Sequence, residues 1–234
     1  MVINLFIPAA GLGTRLYPLT ADKPKALVEV NGKPMIQHIL DKFVENNTFQ
    51  INKIIVNVHH FAEQLIEYLQ NYEKYDIVIS DEREMLLDTG GGLKQVLEIL
   101  NDEKPLLVHN TDIETNFDFK NLFDIEFDDS ILSTLVVSER ETSRYLLFND
   151  ELELCGWKNI KTNESIIVNN KVEIAHNYAF SGIQLVNPQI LDFLPDKKVF
   201  PLIPEYLSLA KNHTFKAYPA NNYYFNDLGK NNLK

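Results

Sequence analysis

A single cysteine, Cys155, excludes an internal disulfide and fits a reducing cytosol. Also missing is a basic N-terminal segment leading into a cleavable apolar stretch. The first apolar run, Val2 to Ile7, is too short for a secretory signal or a membrane span. These absences give, as the expectation, a cytoplasmic protein with no membrane partner. Basic residues are in the minority: 22 Lys and Arg against 33 Asp and Glu leave a net charge of −11. That deprives the chain of the basic surface that nucleic-acid binding requires. No internal repeat, low-complexity tract or flexible linker interrupts the sequence. What is present is 234 residues, 45% hydrophobic and 24% charged, the composition of an ordinary globular protein with room for a core. An acidic chain can still carry a small, locally cationic anion site.

Two familiar glycine motifs are absent as well. After Gly11-Leu12-Gly13-Thr14-Arg15 comes Leu16, so the third glycine of a dinucleotide fingerprint is lacking, and no G-x-x-x-x-G-K-[ST] string occurs. Nor do the residues form a convincing Ser-His-Asp or Cys-His constellation for nucleophilic catalysis. The segment Pro8 to Lys25 nevertheless reads as a phosphate-handling loop with its cations attached. Gly11 and Gly13 let backbone N–H groups approach a polyphosphate, while Arg15 and Lys25 supply fixed positive charge.

Along the chain, apolar runs and helical periodicities alternate through the first half. The runs Val2 to Ile7, Ile54 to Val58, Ile77 to Ser80 and Leu106 to Val108 predict strands, and Ala26 to Val30 a short extended piece before the Asn31-Gly32 turn. Helices are predicted from Pro34 to about Glu45, over Phe61 to Leu69, and over Leu93 to Leu100 behind a triple glycine. Such alternation argues for a mostly parallel sheet with helices on both faces. From about Ile131 the pattern changes to Leu132 to Val137, Arg144 to Phe148, Glu151 to Gly156 and Ala179 to Val186. These read as strands joined by short turns, with Asn149-Asp150 at a hairpin tip. A helix pair (Asn187 to Leu194, Pro201 to Lys211) and short strands near Phe215 to Tyr218 and Tyr223 to Asn226 complete the reading. Ligands in open α/β sheets sit at the carboxyl ends of strands, so the glycine loop, Asp81 and Asp112 should converge on one edge.

The string Ala9-Ala10-Gly11-Leu12-Gly13-Thr14-Arg15-Leu16, continuing through Pro18-Leu19-Thr20 to Pro24-Lys25, resembles the N-terminal motif of the sugar-1-phosphate nucleotidylyltransferases. The likeness continues, in that family's order, through Asp88-Thr89-Gly90-Gly91-Gly92, Asn110-Thr111-Asp112, Phe180-Ser181-Gly182-Ile183 and Asn226-Asp227-Leu228-Gly229. It implies a three-layer, Rossmann-like, mostly parallel mixed sheet of GT-A-like type with a small antiparallel elaboration in the second half. It implies a single domain over residues 1–234, with a nucleotide-binding half (1–130) and a sugar-phosphate-binding half (131–234). The activity implied is Mg²⁺-dependent transfer of a nucleotidyl group from an NTP (UTP or GTP) to a sugar 1-phosphate, by a monomer or homodimer.

Carried onto this sequence, the resemblance makes Arg15 and Lys25 the catalytic cations. Ala10, Gly11, Gly13, Thr14, Arg15, Asp88, Gly90, Gly91 and Asn110 become the nucleotide-binding residues. Lys158 and Gly182 become the sugar-phosphate contacts, and Asp112 and Asp227 the metal carboxylates. Two departures stand out: Thr111 where the family has Gly, and Trp157-Lys158-Asn159 where it has Glu-Lys-Pro. Short length and the Asp-Thr-Gly-Gly-Gly string look most like N-acetylmuramic acid 1-phosphate uridylyltransferases, with mannose- or heptose-1-phosphate guanylyltransferases as the alternative. A GT-A-like glycosyltransferase has no use for Arg15 and Lys25 in the first loop. A non-catalytic NDP-sugar-binding regulator is the alternative from another class.

Overall fold

The computed structural model describes residues 1–45, 49–72, 74–123, 130–168 and 173–229. In chain order the elements are β1 (Val2–Ile7), β2 (Glu29–Val30), β3 (Lys33–Pro34), α1 (Met35–Val44), β4 (Gln50–Val58), α2 (Ala62–Gln70), β5 (Ile77–Asp81), α3 (Asp88–Leu100), β6 (Leu106–His109), β7 (Ile113–Thr115), α4 (Lys120–Phe123), β8 (Ile131–Ser138), β9 (Arg144–Phe148), β10 (Leu154–Asn159), β11 (Glu164–Ile167), β12 (His176–Val186), α5 (Leu202–Leu209), β13 (Thr214–Pro219) and β14 (Phe225–Asp227).

One sheet carries the fold, and it draws strands from both halves of the chain. β5, β4, β1 and β6 lie side by side in parallel, and β12 joins β6 antiparallel. β8 pairs antiparallel with β12 and parallel with β13, so β12 is the one reversed strand of this part among the described residues. The near-continuous apolar runs of β1 and β4 are explained by burial on two faces. Ile3, Leu5, Ile7, Ile54, Val56 and Val58 pack with α1 and α2 on one side. Phe6 and Ile55 pack with α3 and α5 on the other. The period-2 alternation of a strand divides these side chains between the faces and makes the three-layer arrangement. α1 docks through Met35, Ile36, Ile39, Leu40 and Phe43, the one-sided spacing that a 3.6-residue period requires.

The first three residues of the long strand β12 pair with β9, and β9, β10 and β11 follow antiparallel beyond it. This is the expected antiparallel elaboration. The hairpin tip at Asn149 is closed by its own side chain, whose Oδ1 accepts from the Glu153 N–H at 2.7 Å.

Several boundaries differ from the sequence expectation. Residues 26–30 are not one extended piece, since Lys25–Leu27 forms a 3₁₀ turn and only Glu29–Val30 is strand. The segment after Asn187 is 3₁₀ from Pro188 to Phe193 rather than α, started by the Asn187 side chain accepting from the Gln189 N–H. The strand expected at Glu151 begins at Leu154, because Leu152 takes a left-handed turn at φ 60°. The last strand is Phe225–Asp227, and it pairs with β7, which the sequence pattern did not reveal.

His109 closes β6 with its ring fully buried against Phe43 and Phe119. Burial pushes its pKa from the ordinary 6.5 down to about 4, opposed by the Asn110 carbonyl beside Nδ1. Between those values the unfolded chain binds the proton and the folded chain does not, so folding stability falls as pH drops from about 6.5 toward 4. The full shift corresponds to about 3 kcal/mol. Urea unfolding of wild type and His109→Phe at pH 7 and pH 4.5 measures this. Wild type is expected to lose more stability on acidification than the variant, and equal losses refute the assignment.

Candidate active site

The loop after β1 is shaped by its own contacts. The Ala9 and Ala10 N–H groups donate to Asn57 Oδ1, at 2.6 and 3.2 Å. Gly13 sits at φ +66°, where a Cβ would also lie 2.9 Å from the Thr20 methyl, so this position requires glycine. Its carbonyl accepts from the Leu16 N–H at 2.9 Å and from the Thr20 hydroxyl at 3.0 Å, which folds the loop back on itself. Gly11, by contrast, is exposed with open space where a Cβ would stand. Thr14 and Arg15 follow on the same exposed turn.

Four charges meet beside this loop. The Lys25 ammonium bonds directly to the Asp112 carboxylate. The Arg15 guanidinium lies 3.7 Å from Asp112 and 3.9 Å from Asp227. The two aspartates come together because β7 and β14 pair antiparallel, with Asp227 opposite Ile113 and the Leu228 N–H donating to the Asp112 carbonyl at 2.8 Å. Gly229 then passes so near that a Cβ would stand 2.7 Å from Asp112 and 2.9 Å from the Lys25 ammonium. Lys25 is held close, its side chain 18% exposed, whereas that of Arg15 is 64% exposed. Arg15 can therefore leave the carboxylates for a ligand at little cost, since exposed ion pairs contribute about 0–1 kcal/mol. The Thr111 hydroxyl donates to the Pro8 carbonyl and ties the Asp112 loop to the first loop. The departure from glycine at that position thus has a structural use.

As a metal centre, Asp112 and Asp227 fit Mg²⁺ by the chemistry of the donor set. Two hard carboxylates with no His or Cys companion suit an ion that keeps waters and phosphate oxygens in its shell. Among the described residues no cluster of three or more His, Cys, Asp or Glu offers an all-protein cage.

Asp81 lies on the same carboxyl edge, as expected from the parallel strands, but it pairs with other residues than these four. It stands at the end of edge strand β5, paired with Arg83, which also reaches Glu63 at 2.9 Å. The neighbouring Glu82 is the residue that matters, and sequence reading passed it over. It is buried, and its carboxylate accepts from Asn57 Nδ2 at 2.7 Å and from the Leu87 N–H at 3.0 Å. Burial raises its pKa, and those two hydrogen bonds oppose the shift. Asn57 and Glu82 thus link the first loop to the start of α3. One signal was available: a lone Asn inside the apolar run Ile54-Ile55-Val56-Asn57-Val58.

The triple glycine belongs to α3, which starts at Asp88, and does not precede it. A Cβ on Gly90 would strike the Phe200 ring at 2.4 Å, and one on Gly91 the Lys198 carbonyl at 2.0 Å. The Gly90 and Gly91 N–H groups donate to the Phe200 carbonyl, at 2.9 and 3.3 Å. These N–H groups of the helix start, which the resemblance gave to the nucleotide, are thus already partnered by the protein's own backbone. Exposed Asp88, at φ 61°, and Thr89 carry the surface of this turn.

Asn110 donates its N–H to the Gly182 carbonyl at 2.9 Å, and Gly182 at φ +77° leaves 2.8 Å between its Cβ position and Asn110 Nδ2. Gly182 therefore joins the two halves beside Asp112. Lys158 stands apart from the four charges, its ammonium 5.7 Å from the Tyr145 ring centre. Trp157, next to it, lines a cavity of about 500 Å³ bounded by Thr89, Tyr145 and Phe180.

A mostly parallel three-layer sheet with a glycine loop, two cations and two carboxylates at its carboxyl edge defines an α/β protein with a charged site at that edge. The sequence pattern of the nucleotidyl transferase family matches residues 6–232, and the chain belongs to that family. Similar curated proteins include the N-acetylmuramate alpha-1-phosphate uridylyltransferase of Caulobacter vibrioides, 49% identical over 108 residues, which is 44% of this chain and 43% of that one. The mannose-1-phosphate guanylyltransferase catalytic subunit beta of Dictyostelium discoideum is 30% identical over 85% of this chain and 55% of its own. The chain spans about half the length of the curated relatives it matches. Among solved structures, HddC from Yersinia pseudotuberculosis complexed with GMP-PN superposes with a TM-score of 0.71 at 20% identity, over 98% of this chain and 95% of that one. A putative glucose-1-phosphate thymidylyltransferase from Bacillus anthracis reaches 0.77 at 14% identity, over 99% and 92%. These likenesses establish the GT-A-like, Rossmann-type fold. Among the described residues, no helix is long and apolar enough to cross a membrane.

Proposed function

We propose that this chain transfers a nucleotidyl group from an NTP to a sugar 1-phosphate, releasing pyrophosphate, and that its preferred pair is UTP with N-acetylmuramate 1-phosphate. The observation that carries the reaction is the meeting of Arg15, Lys25, Asp112 and Asp227 beside the first glycine loop. The acceptor brings its own nucleophile, so no side chain needs activation. An oxygen of the sugar phosphate attacks the α-phosphorus in line. The bond to the β-phosphate oxygen breaks, and its electron pair leaves with pyrophosphate.

Two polyanions must be brought together, so the protein's contribution is positioning and charge neutralisation. Lys25, held close to Asp112, faces the α-phosphate and the incoming phosphate. Arg15, on its exposed turn, presents a planar fork to the leaving phosphates. Asp112 and Asp227 hold Mg²⁺, which when bound neutralises phosphate charge. The backbone around Gly11, open on its outer face, with Ala10, Gly13 and Thr14, receives the triphosphate. Asp88 and Asn110 border the nucleoside. The close identity to the uridylyltransferase over 108 residues supports the choice of base and sugar.

Pyrophosphate release, measured with Mg²⁺ across five NTPs and the 1-phosphates of glucose, mannose, N-acetylglucosamine, N-acetylmuramate and heptose, tests this. The named pair should exceed every other by about tenfold or more in kcat/KM, a margin of about 1.4 kcal/mol in transition-state binding. A lead for GTP with mannose 1-phosphate selects the guanylyltransferase reading. Silence from folded, nucleotide-binding protein overturns catalysis altogether.

A further inference from the structure

The 500 Å³ cavity beside Trp157 carries charge of one sign, in a protein whose net charge is the other. Arg140 and Arg144 both line it, and among the described residues no Asp or Glu does. The rest of the wall is mostly aromatic or aliphatic, with Tyr145, Trp157, Phe180 and Pro201 to Pro204, joined by Thr89 and Thr142. Among the described residues Arg140 is anchored by one hydrogen bond, from Nη2 to the Phe180 carbonyl at 3.0 Å, which leaves the remaining N–H groups of its fork for other use. Arg144 stands exposed at the start of β9, and among the described residues no side chain pairs with its guanidinium. Elsewhere on this acidic surface cations sit against acids: Lys33 with Asp41, Arg83 with Asp81, Lys216 with Glu153.

Two residues of the cavity wall adjoin candidate site residues along the chain. Thr89 lines it from the first turn of α3, beside Asp88. Phe180 lines it from β12, two residues before the Gly182 that packs against Asn110. β12 is irregular between Phe180 and Ile183, so the strand that walls the cavity bends where it enters the site.

We propose that Arg140 and Arg144 select an acceptor that carries a carboxylate in addition to its anomeric phosphate. The sugar ring lies on Trp157, and the carboxylate is received at the arginine wall. The inference rests on the transferase reading and names the residues by which the acceptor is told from its neutral counterpart. N-acetylmuramate 1-phosphate and N-acetylglucosamine 1-phosphate form the matched pair, since the first is the second with a lactyl ether added. A hydrogen-bonded charge pair in a partly enclosed cavity is worth about tenfold or more in affinity.

The test is calorimetric titration of the full chain with each of these two sugar phosphates, in the presence of a non-hydrolysable UTP analogue. Wild type should bind the acid-bearing sugar at least about tenfold more tightly. In Arg144→Gln, and further in Arg140→Gln/Arg144→Gln, the ratio of the two affinities should fall toward one, with Arg144→Lys between. Should the double variant fail to fold, Arg144→Gln carries the test alone, since its guanidinium supports no described contact. A wild-type ratio near one, or a ratio unchanged in the variants, overturns the proposal. Pyrophosphate release measured alongside separates the two readings. Acid-selective binding without release from any NTP removes the transferase reading and leaves the anion recognition standing; release without acid selectivity does the reverse.

Discussion

Lys25→Ala should lower kcat for pyrophosphate release by about a thousandfold, the scale of losing one preorganised charge at a site of developing negative charge. The melting temperature should change by no more than a few degrees. The size follows from how the ammonium is held. Pro24 leads into a 3₁₀ turn closed by the Leu27 N–H on the Pro24 carbonyl and the Val28 N–H on the Lys25 carbonyl, at 2.9 and 3.0 Å. Ala26 is fully buried beneath it, so the backbone that carries Lys25 is fixed before any ligand arrives. The side chain can then follow phosphate through the reaction without reorganisation of its support.

Stability should suffer little, because Asp112 keeps Arg15 at 3.7 Å and is not left as an isolated charge. Lys25→Met, which keeps the apolar stem, controls for packing. Single-turnover kinetics with saturating NTP measure the loss at the chemical step. A decrease of less than tenfold, or unfolding of both variants where wild type is folded, would assign Lys25 a structural role.

How much of this could be read from sequence depended on distance along the chain. The first loop was legible because Gly11, Gly13, Thr14, Arg15 and Lys25 sit close together and their chemistry has few other uses. The parallel half was legible because strands buried on both faces must be apolar throughout, as β1 and β4 are. The pairing of β7 with β14 was not legible. Each has three residues, and Ile113-Glu114-Thr115 and Phe225-Asn226-Asp227 have no periodicity long enough to register. Yet this short ribbon is what sets Asp227 beside Asp112. The Asn57–Glu82 bridge was hidden for a similar reason: its partners, Ala9, Ala10 and Leu87, are backbone groups, which any sequence would supply. Asp81 was named because a strand end is where ligand residues gather, and Glu82 was passed over. The buried neighbour, not the exposed end residue, makes the connection.

Gly91→Ala should destabilise the fold by about 3 kcal/mol or more, at the upper end for an added methyl group because backbone stands in its way. The methyl carbon would lie 2.0 Å from the Lys198 carbonyl oxygen and 3.0 Å from Leu87 Cβ. Neither neighbour can swing aside. Phe200 receives the Gly90 and Gly91 N–H groups on its carbonyl and donates its own N–H to Leu87, while the Leu202 N–H is held by the Thr89 hydroxyl at 3.0 Å. The segment entering α5 is therefore pinned to the first turn of α3 at several points, and moving it breaks hydrogen bonds between buried groups. Three glycines in succession, costly in chain entropy, are explained by this close approach of two backbones.

Gly11→Ala is the matched comparison. Nothing lies within 4 Å of its Cβ position, so stability should stay within about 0.5 kcal/mol. Urea unfolding at neutral pH measures both changes. If Gly91→Ala unfolds like wild type and loses only nucleotide affinity, the glycines face the ligand. Loss of stability of the expected size places them instead among the residues that clamp the start of α3 to the segment entering α5, upstream of any contact with substrate.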